Sequence, residues 1–438
     1  MSRNKNQKES MNLNTISQHG HHQPPATSPN PVESSQTAYS ADFGHAVVIG
    51  CSIAGLTAAQ VLTGYFGHVT IVERDQLPNG PDFRRGVPQA RHAHILLPRG
   101  HKILERYLPG LVDELLAEGA VAVDASRDIA IFEEEAWRTS SAYTTNVSIN
   151  FSRPLLENAL HRRVADHPRV KIMQGYEAVG LLADEQNQRV IGLKLRDRHS
   201  AKSISTALAA DLIVDATGRQ SHAPQWLESL GYTPPEEWHV NTFVGYASRL
   251  YQIPPTVSDT WKTLLVRPTP PDGTRGGIIV AAENDHWYVT LIGVAGDYPP
   301  TDPEAFLAFA RSLPTPRLYE AIKEATPLTE PAGYRITDNR VRRYDKLPRY
   351  LEGFLVCGDA AFALNPVYAQ GMTAAITGSQ ALDQALQAQG QQADLTGLAG
   401  AFQRRLSQTV GHLWHAATKQ EWDWDVTEVT DNTDKEMK

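Results

Sequence analysis

Two segments of this chain, some 300 residues apart, each run a short apolar stretch straight into glycine and then into a helical pattern: HAVVIGCSIAGLTAA from His45 and GFLVCGDAAFALNPVYAQGM from Gly353. Ala46 to Ile49 is apolar on both faces, as a strand buried inside a parallel sheet must be. It feeds into Gly50, Cys51, Ser52, Ile53, Ala54 and Gly55, and then into the helical run LTAAQVL. In a dinucleotide fold the first glycine permits the tight turn and the second lets the backbone approach a pyrophosphate. The third lets helix and strand pack closely, while the helix N-terminus supplies free N–H groups. Ser52 takes the middle position here, small enough to leave the approach open and able to add a hydroxyl contact. A second apolar run, His68 to Val72, ends in Glu73-Arg74, and Glu73 lies 23 positions after Gly50. A carboxylate about 20 residues past the first glycine is placed to bind the ribose hydroxyls of an adenosine.

The late segment supplies the other end of an elongated ligand. Phe354 to Cys357 reads as another buried strand, followed without a polar linker by Gly358-Asp359. The chain then passes Asn365-Pro366 and reaches Gln370-Gly371-Met372 at the start of a small-residue helix. Pro366 and Gly371 flank that start as helix-entry residues do. A carboxylate such as Asp359 can hold a ribityl hydroxyl. Exposed amides near Gly371 can face the N1 and C2 carbonyl edge of a flavin, where negative charge gathers on reduction. Together the loops describe a chain built around FAD.

On these residues the chain resembles the FAD-dependent monooxygenases of the para-hydroxybenzoate hydroxylase structural class, and within it the polyketide epoxidases of the lasalocid epoxidase type. The likeness covers about residues 44 to 415. It rests on GCSIAG with VERD, RRGVPQARHAHILLPRG (84 to 100), SRPLLENAL (152 to 160), DLIVDATGRQS (211 to 221), VGYASRLY (244 to 251) and GDAAFALNPVYAQGMT (358 to 373). It implies pyrophosphate contacts around Gly50, Ser52, Ala54 and Gly55, adenosine binding by Glu73 with Arg74, and Arg153 at the phosphate and ribityl region. It further implies Asp359 on the ribityl chain, Pro366 and Gln370 to Met372 at the isoalloxazine edge, and backbone around Ala178 and Val179 along the adenine. The segment holding Arg91 and Arg99 is implied to pass beside the flavin, where either can neutralise charge. Ala369 stands where this family usually has glycine.

The expected fold is therefore α/β: a Rossmann-like FAD-binding domain of the glutathione-reductase type, with an inserted, mainly antiparallel β-sheet substrate domain and a helical C-terminus. The FAD-binding domain is expected over 44–123, 150–237 and 346–395. The substrate domain takes 124–149 and 238–345, and a C-terminal helical segment spans 396–438. Residues 1–43, rich in Ser, Asn, Gln and Pro, read as a disordered tail without a signal-peptide core. HKILERYLPGLVDELLAEG reads as helical. Ser152 caps a helix that carries Arg153 at its N-terminus. Val170 to Met173, Val179 to Leu182 and Val190 to Leu195 are expected to make a three-stranded crossover, and Asp215 to close a turn. TFVGYASRLY, GGIIVAAEN and HWYVTLIGVAG alternate as strands with one buried and one exposed face, covered by helices at Pro303 to Ser312 and Leu318 to Ala325. Their aromatics Phe243, Tyr246, Tyr251, Trp287 and Tyr288 divide between core and pocket.

Composition narrows the function. A formal net charge of −8 without a long basic cluster removes the electrostatic case for nucleic acid or anionic membrane. No stretch approaches the roughly 18 apolar residues of a spanning helix. Cys51 and Cys357 fall at ends of predicted central strands, which points away from a disulfide and toward a cytoplasmic protein. His19, His21 and His22 lie in the tail, where ligands are not pre-positioned for a metal, and His92, His94 and His101 lack a nearby carboxylate or cysteine to complete a metal site. Trp422 and Trp424 form a W-x-W pair without the Ile-Pro that follows it in flavin-dependent halogenases.

The resemblance implies oxygen insertion through a C4a-hydroperoxyflavin into a hydrophobic small molecule, by aromatic hydroxylation or alkene epoxidation, in secondary metabolism. No side-chain nucleophile is required, and none is assigned. The sequence shows no second dinucleotide motif, so NAD(P)H is expected to act transiently, directly or through a flavin reductase. The competing readings are a flavin-dependent reductase or dehydrogenase of isoprenoid-like double bonds and a non-catalytic nucleotide-binding protein.

Overall fold

The apolar run of His45–Ile49 becomes the middle strand of a five-stranded sheet, in the order Phe354–Val356, Leu212–Asp215, His45–Ile49, His68–Glu73, Val170–Gln174. Every neighbouring pair is parallel. Val47, Val48, Ile213 and Val214 have no exposure, as a sheet covered on both faces requires. The computed structural model describes residues 43–139, 147–199, 205–255, 260–390 and 394–430. The tail assigned to residues 1–42 and its histidines 19, 21 and 22 lie outside them.

One face of the sheet carries the helices Ile53–Leu62 and Gly371–Gln389, followed by Leu398–Glu421. Small residues make the first contact close: Thr57 Oγ1 meets Ser379 Oγ at 2.6 Å, and Ala374, Ala375 and Ala381 are buried between the helices. Gly55 is needed for the same reason at the strand exit. A Cβ there would lie 1.8 Å from the Gly50 carbonyl oxygen. The expected single helix after His101 is two, Pro98–Tyr107 and Leu111–Ala117, because Pro109 cannot continue the first and Gly110 turns the chain at φ 78°.

The crossover differs from expectation. Val170–Gln174 pairs in parallel with His68–Glu73 and is the edge of the main sheet; the three-stranded sheet is Tyr176–Ala183, Val190–Asp197 and Ser205–Ala209. Gly175, at φ 78°, lets the chain leave one sheet and enter the other within one residue.

The second large layer is a seven-stranded sheet, ordered Ala332–Tyr334, Gly245–Gln252, His286–Gly293, Arg275–Ala282, Thr263–Val266, Ile129–Glu133, Ala136–Thr139. It is antiparallel except where Thr263–Val266 runs alongside Ile129–Glu133. Alternation does not here mean one wet face. Ala247, Tyr251, Trp287, Val289 and Leu291 pack with Phe306, Phe309 and Leu318 of the helices Pro303–Arg311 and Arg317–Ile322. The alternate residues Tyr246, Ser248, Tyr288, Thr290 and Ile292 are buried as well, toward the opposite side. The expected solvent face is instead a roof over the half built on the five-stranded sheet.

The chain closes through a four-stranded sheet, Phe362–Ala363, Asn339–Arg342, Glu237–Asn241, Glu428–Thr430. The C-terminal segment therefore carries a strand after its helix. Among the described residues no helix is long and apolar enough to cross a membrane.

Gly55→Ala places a methyl group against backbone that cannot yield, and overpacking of this kind costs about 3 kcal/mol. Chemical denaturation should show that loss, with a midpoint well below that of the parent protein.

Candidate active site

The parallel strands end level. Gly50 N–H donates to Val72 O at 2.8 Å, Ala216 N–H to Ile49 O at 2.9 Å and Cys357 N–H to Asp215 O at 2.9 Å. Beyond these ends opens a cavity of about 330 Å³, lined by residues 49–54, 72–74, 84–95, 216–222 and 359–375 in part, with Arg153 and Tyr176–Ala178. The early and late loops converge on it. A Cβ on Gly358, which holds φ 60°, would stand 2.8 Å from Ala54 Cβ.

At the early loop, the helix Ile53–Leu62 starts without a side-chain cap and without an acid in its first turn. Ser52, the N-cap residue, spends its hydroxyl on Glu157 Oε1 at 2.5 Å and accepts from Arg153 Nη2 at 2.8 Å. The first amides of the helix are left for an anion. Glu73 Oε2 accepts from Cys51 N–H at 2.8 Å, and Oε1 from Asp75 N–H at 2.9 Å. Arg84 lies at 3.2 Å from Glu73, 3.3 Å from Asp75 and 3.2 Å from Glu157, and donates to Cys51 O at 2.9 Å. Arg153 Nε donates to Glu157 Oε1 at 2.8 Å. Burial pushes the Glu157 carboxyl up, but Arg153 and Arg84 outweigh it and hold it below the ordinary carboxylate range. Three carboxylates thus face two guanidinium groups, so what this loop offers an anion is the free N–H groups at the helix start.

At the late loop, the helix Gly371–Gln389 also begins with no side-chain cap and no acid in its first turn. Before it, Asn365 caps the short turn Pro366–Tyr368 by accepting from Val367 N–H at 3.1 Å. Ala369 then adopts φ 53°, ψ 24°. A left-handed conformation costs a Cβ-bearing residue roughly 1–2 kcal/mol, so surrounding contacts must hold it there. Asp359 is partly buried in the cavity wall, and its carboxylate has no hydrogen-bond partner among the described residues. Burial pushes its pKa up, against the pull of Arg219, Arg153 and Arg340. An orphaned carboxylate between two uncapped helix N-termini suits a ligand with hydroxyls and a phosphate group. The residues present fit FAD: Glu73 for its adenosine, the 50–55 turn for pyrophosphate, Asp359 for ribityl, and the 366–372 loop for its ring.

Above the late loop the inner face of the seven-stranded sheet forms an apolar chamber, with Tyr246, Leu265, Ile278, Ile292 and Tyr334 on its walls. His92 is its polar feature. The ring packs 5.5 Å from Tyr334, and Nδ1 shares a 2.7 Å hydrogen bond with Ser248 Oγ, which in turn meets Thr290 Oγ1 at 2.6 Å. Burial, reinforced by Arg91, brings its pKa down to about 4, so the ring is neutral at physiological pH. His94 Nδ1 is engaged by His92 O at 2.9 Å.

A family model described as "FAD binding domain" matches residues 45–409. The chain belongs to the FAD binding domain family. Protein Rv3254 of Mycobacterium tuberculosis is 34% identical over 375 residues, covering 84% of this chain and 78% of its own. Among solved structures, pqsL from Pseudomonas aeruginosa, described as a probable FAD-dependent monooxygenase, superposes with TM-score 0.63 at 16% identity, over 86% of this chain and 95% of its own. The tetrameric 2-methyl-3-hydroxypyridine-5-carboxylic acid oxygenase does so with TM-score 0.63 at 19% identity, over 88% and 92%. These likenesses establish the fold, and the family makes the chain a flavin-dependent oxidoreductase.

In this FAD-binding protein, Gly50, Ser52, Ala54, Glu73, Arg74, Arg153, Asp359, Pro366, Gly371 and Met372 all line the one cavity. Gly55 lies behind it, where it lets helix and strand touch, and Gln370 occupies the position before the late helix without a side-chain bond to it. Val179 is 39% exposed; its neighbours Tyr176 to Ala178 line the cavity instead. Arg99 is not brought to the cavity: it lies on a separate depression with Lys102 and Gln380 and contacts His412 Nε2 at 2.7 Å. Arg91 stacks over Phe83 outside it. Asp215 closes its turn as expected, accepting from Thr217 N–H and from the hydroxyls of Thr217 and Ser221. Of the named aromatics, only Tyr246 lines the cavity. Sequence reading missed Arg84 and Glu157. Glu157 stands four residues after Arg153 on one helix, a spacing that signals an ion pair. Arg84 carried no comparable mark.

Arg84→Met removes the cation shared by three carboxylates, leaving Glu157 to Arg153 and burying Glu73 without a cation, at a cost of about 3 kcal/mol; a thermal melt of the variant should show it. Asp359→Ala should act with the opposite sign on the protein alone. FAD affinity, measured by fluorescence titration, falls by about tenfold or more as a charged hydrogen bond is lost, whereas the ligand-free protein melts no lower than the parent.

Proposed function

We propose that the protein is a flavin-dependent monooxygenase that transfers one oxygen atom of O2 to a hydrophobic small molecule. The observation that carries this is the single cavity that begins at two uncapped helix N-termini suited to FAD and ends in an apolar chamber beneath the seven-stranded sheet. When bound, the flavin supplies the oxygen-activating chemistry. The balance is one substrate, one O2, one NAD(P)H and one proton giving oxygenated product, water and NAD(P)+.

The chain's own part is to bind, orient and keep dry. Glu73, the 50–55 turn, Asp359 and the 366–372 loop hold the cofactor. Leu265, Ile278 and Ile292 exclude water from the chamber, and the neutral imidazole of His92, tied by Nδ1 to Ser248, offers its other nitrogen to a polar atom of the substrate. The substrate is a largely apolar molecule with an electron-rich aromatic ring or an alkene. The motifs shared with lasalocid-type polyketide epoxidases favour a product of secondary metabolism. NAD(P)H acts transiently, directly or through a separate flavin reductase.

Supplying ¹⁸O2 to the reduced protein with a panel of phenols and lipophilic polyenes should yield a product heavier by one labelled oxygen. Product that forms equally well without oxygen, by saturation of a double bond, would overturn this reading in favour of a reductase.

A further inference from the structure

Glu421, near the end of the helix Leu398–Glu421, is 1% exposed and lies directly behind the late loop. Its Oε1 accepts from Asn339 Nδ2 at 2.7 Å and from Asn365 Nδ2 at 2.7 Å. Both amides are fixed in orientation by their oxygens. Asn339 Oδ1 accepts from Asn365 N–H at 2.8 Å, while Asn365 Oδ1 accepts from Val367 N–H and, at 3.2 Å, from Tyr246 OH. Glu421 Oε2 is buried with no hydrogen-bond partner among the described residues, and no ion pair reaches the carboxyl there. Asn365 in turn caps the turn that ends at the left-handed Ala369.

We propose that Glu421 is a positioning residue for the flavin-facing loop, its carboxyl clasping Asn365 and Asn339 so that Ala369 is held left-handed and the amides of Gln370 to Met372 are presented to the cofactor. The clasp substitutes for the conformational freedom of glycine at position 369. It explains why a C-terminal helix that touches no part of the cavity carries a buried acid: the acid acts through Asn365.

The carboxyl does this in its neutral form. Burial pushes its pKa up to about 8, with Asp338 adding to the rise and the two asparagine donors opposing it. The other ionisable groups that face it are Tyr246 and Tyr368, both pushed up by burial with Glu421 contributing, and Asp423 beside Tyr368. Asp338 is itself paired with Arg219 at 2.9 Å and His239 at 3.1 Å. The folded state therefore keeps a proton that the unfolded chain loses near 4.5. Stability from this group is full below that pH and is lost as pH rises through about 8.

The inference rests on the assignment of the late loop to the flavin. The test compares parent, Glu421→Gln and Glu421→Leu by FAD fluorescence titration from pH 6.5 to 9.5, with thermal melts of the ligand-free proteins. The parent should lose up to about tenfold in affinity between pH 7 and 9, as expected for one linked proton. Gln keeps the acceptor without a titrating group, so it should match the parent at pH 7 and stay flat. Leu should bind about tenfold more weakly or worse at every pH, a loss of the size expected for missing hydrogen bonds. A Gln variant as weak as Leu, or one with the parent's alkaline loss, overturns the inference; so does a Leu variant that binds like the parent. If Leu does not fold, the Gln profile decides. A parent protein that binds no FAD at any pH sinks the loop assignment itself, whereas FAD binding without oxygen transfer sinks only the proposed reaction.

Discussion

Three parallel strands that stop at the same level govern what this chain can do with a ligand. Ile49, Asp215 and Val356 stand side by side in register, and within a residue of them each strand releases the backbone into a turn. Brought together at one edge, the turns form a crevice whose walls are backbone amides and small side chains. The glycines follow from that crowding. At Gly50 a Cβ would come within 2.8 Å of Ala216 O, in a residue already at φ 102°.

Charge is used sparingly in the crevice. Arg84 and Arg153 look like phosphate ligands by type, yet both are committed to Glu157, and Arg84 also to Glu73. Their work is to hold the Glu157 carboxyl below the ordinary carboxylate range and Glu73 in place beside the early loop. Anion binding is left to helix termini, which carry no mobile counter-charge and need no reorganisation. At the far end polarity falls away. The inner face of the large sheet contributes Ile278, Ile292 and Leu265, with His92 kept neutral among them.

The half of the fold made by local rules was legible in the sequence. Apolar runs ending in Gly50 and Cys357-Gly358 marked buried parallel strands, Ser152 marked a helix start, and Glu73 was singled out at a strand end; ten of the residues named as site candidates line one cavity. Arg84 and Glu157 escaped because their roles come from a side-chain network among residues 52, 73, 84, 153 and 157, joined only by tertiary packing. The strand Val170–Gln174 was misassigned because a five-residue run does not say which sheet it joins; Gly175 decides that. Alternation in Gly245–Gln252 and His286–Gly293 was read correctly as strand and wrongly as half-wet, since the partner of the second face lies over a hundred residues away in sequence, as with His92 and Ser248. Ala369 was visible as a departure from the family's glycine, but nothing local showed that position 421 compensates.

The cavity walls come from segments near 50, 90, 153, 220 and 365, so a single bound molecule touches parts of the chain that no short loop connects. Such a molecule binds the folded chain and not the unfolded one, and by mass action each tenfold excess over its dissociation constant adds about 1.4 kcal/mol to the folded state. The stability of this fold therefore rises with the concentration of the molecule that fills the cavity.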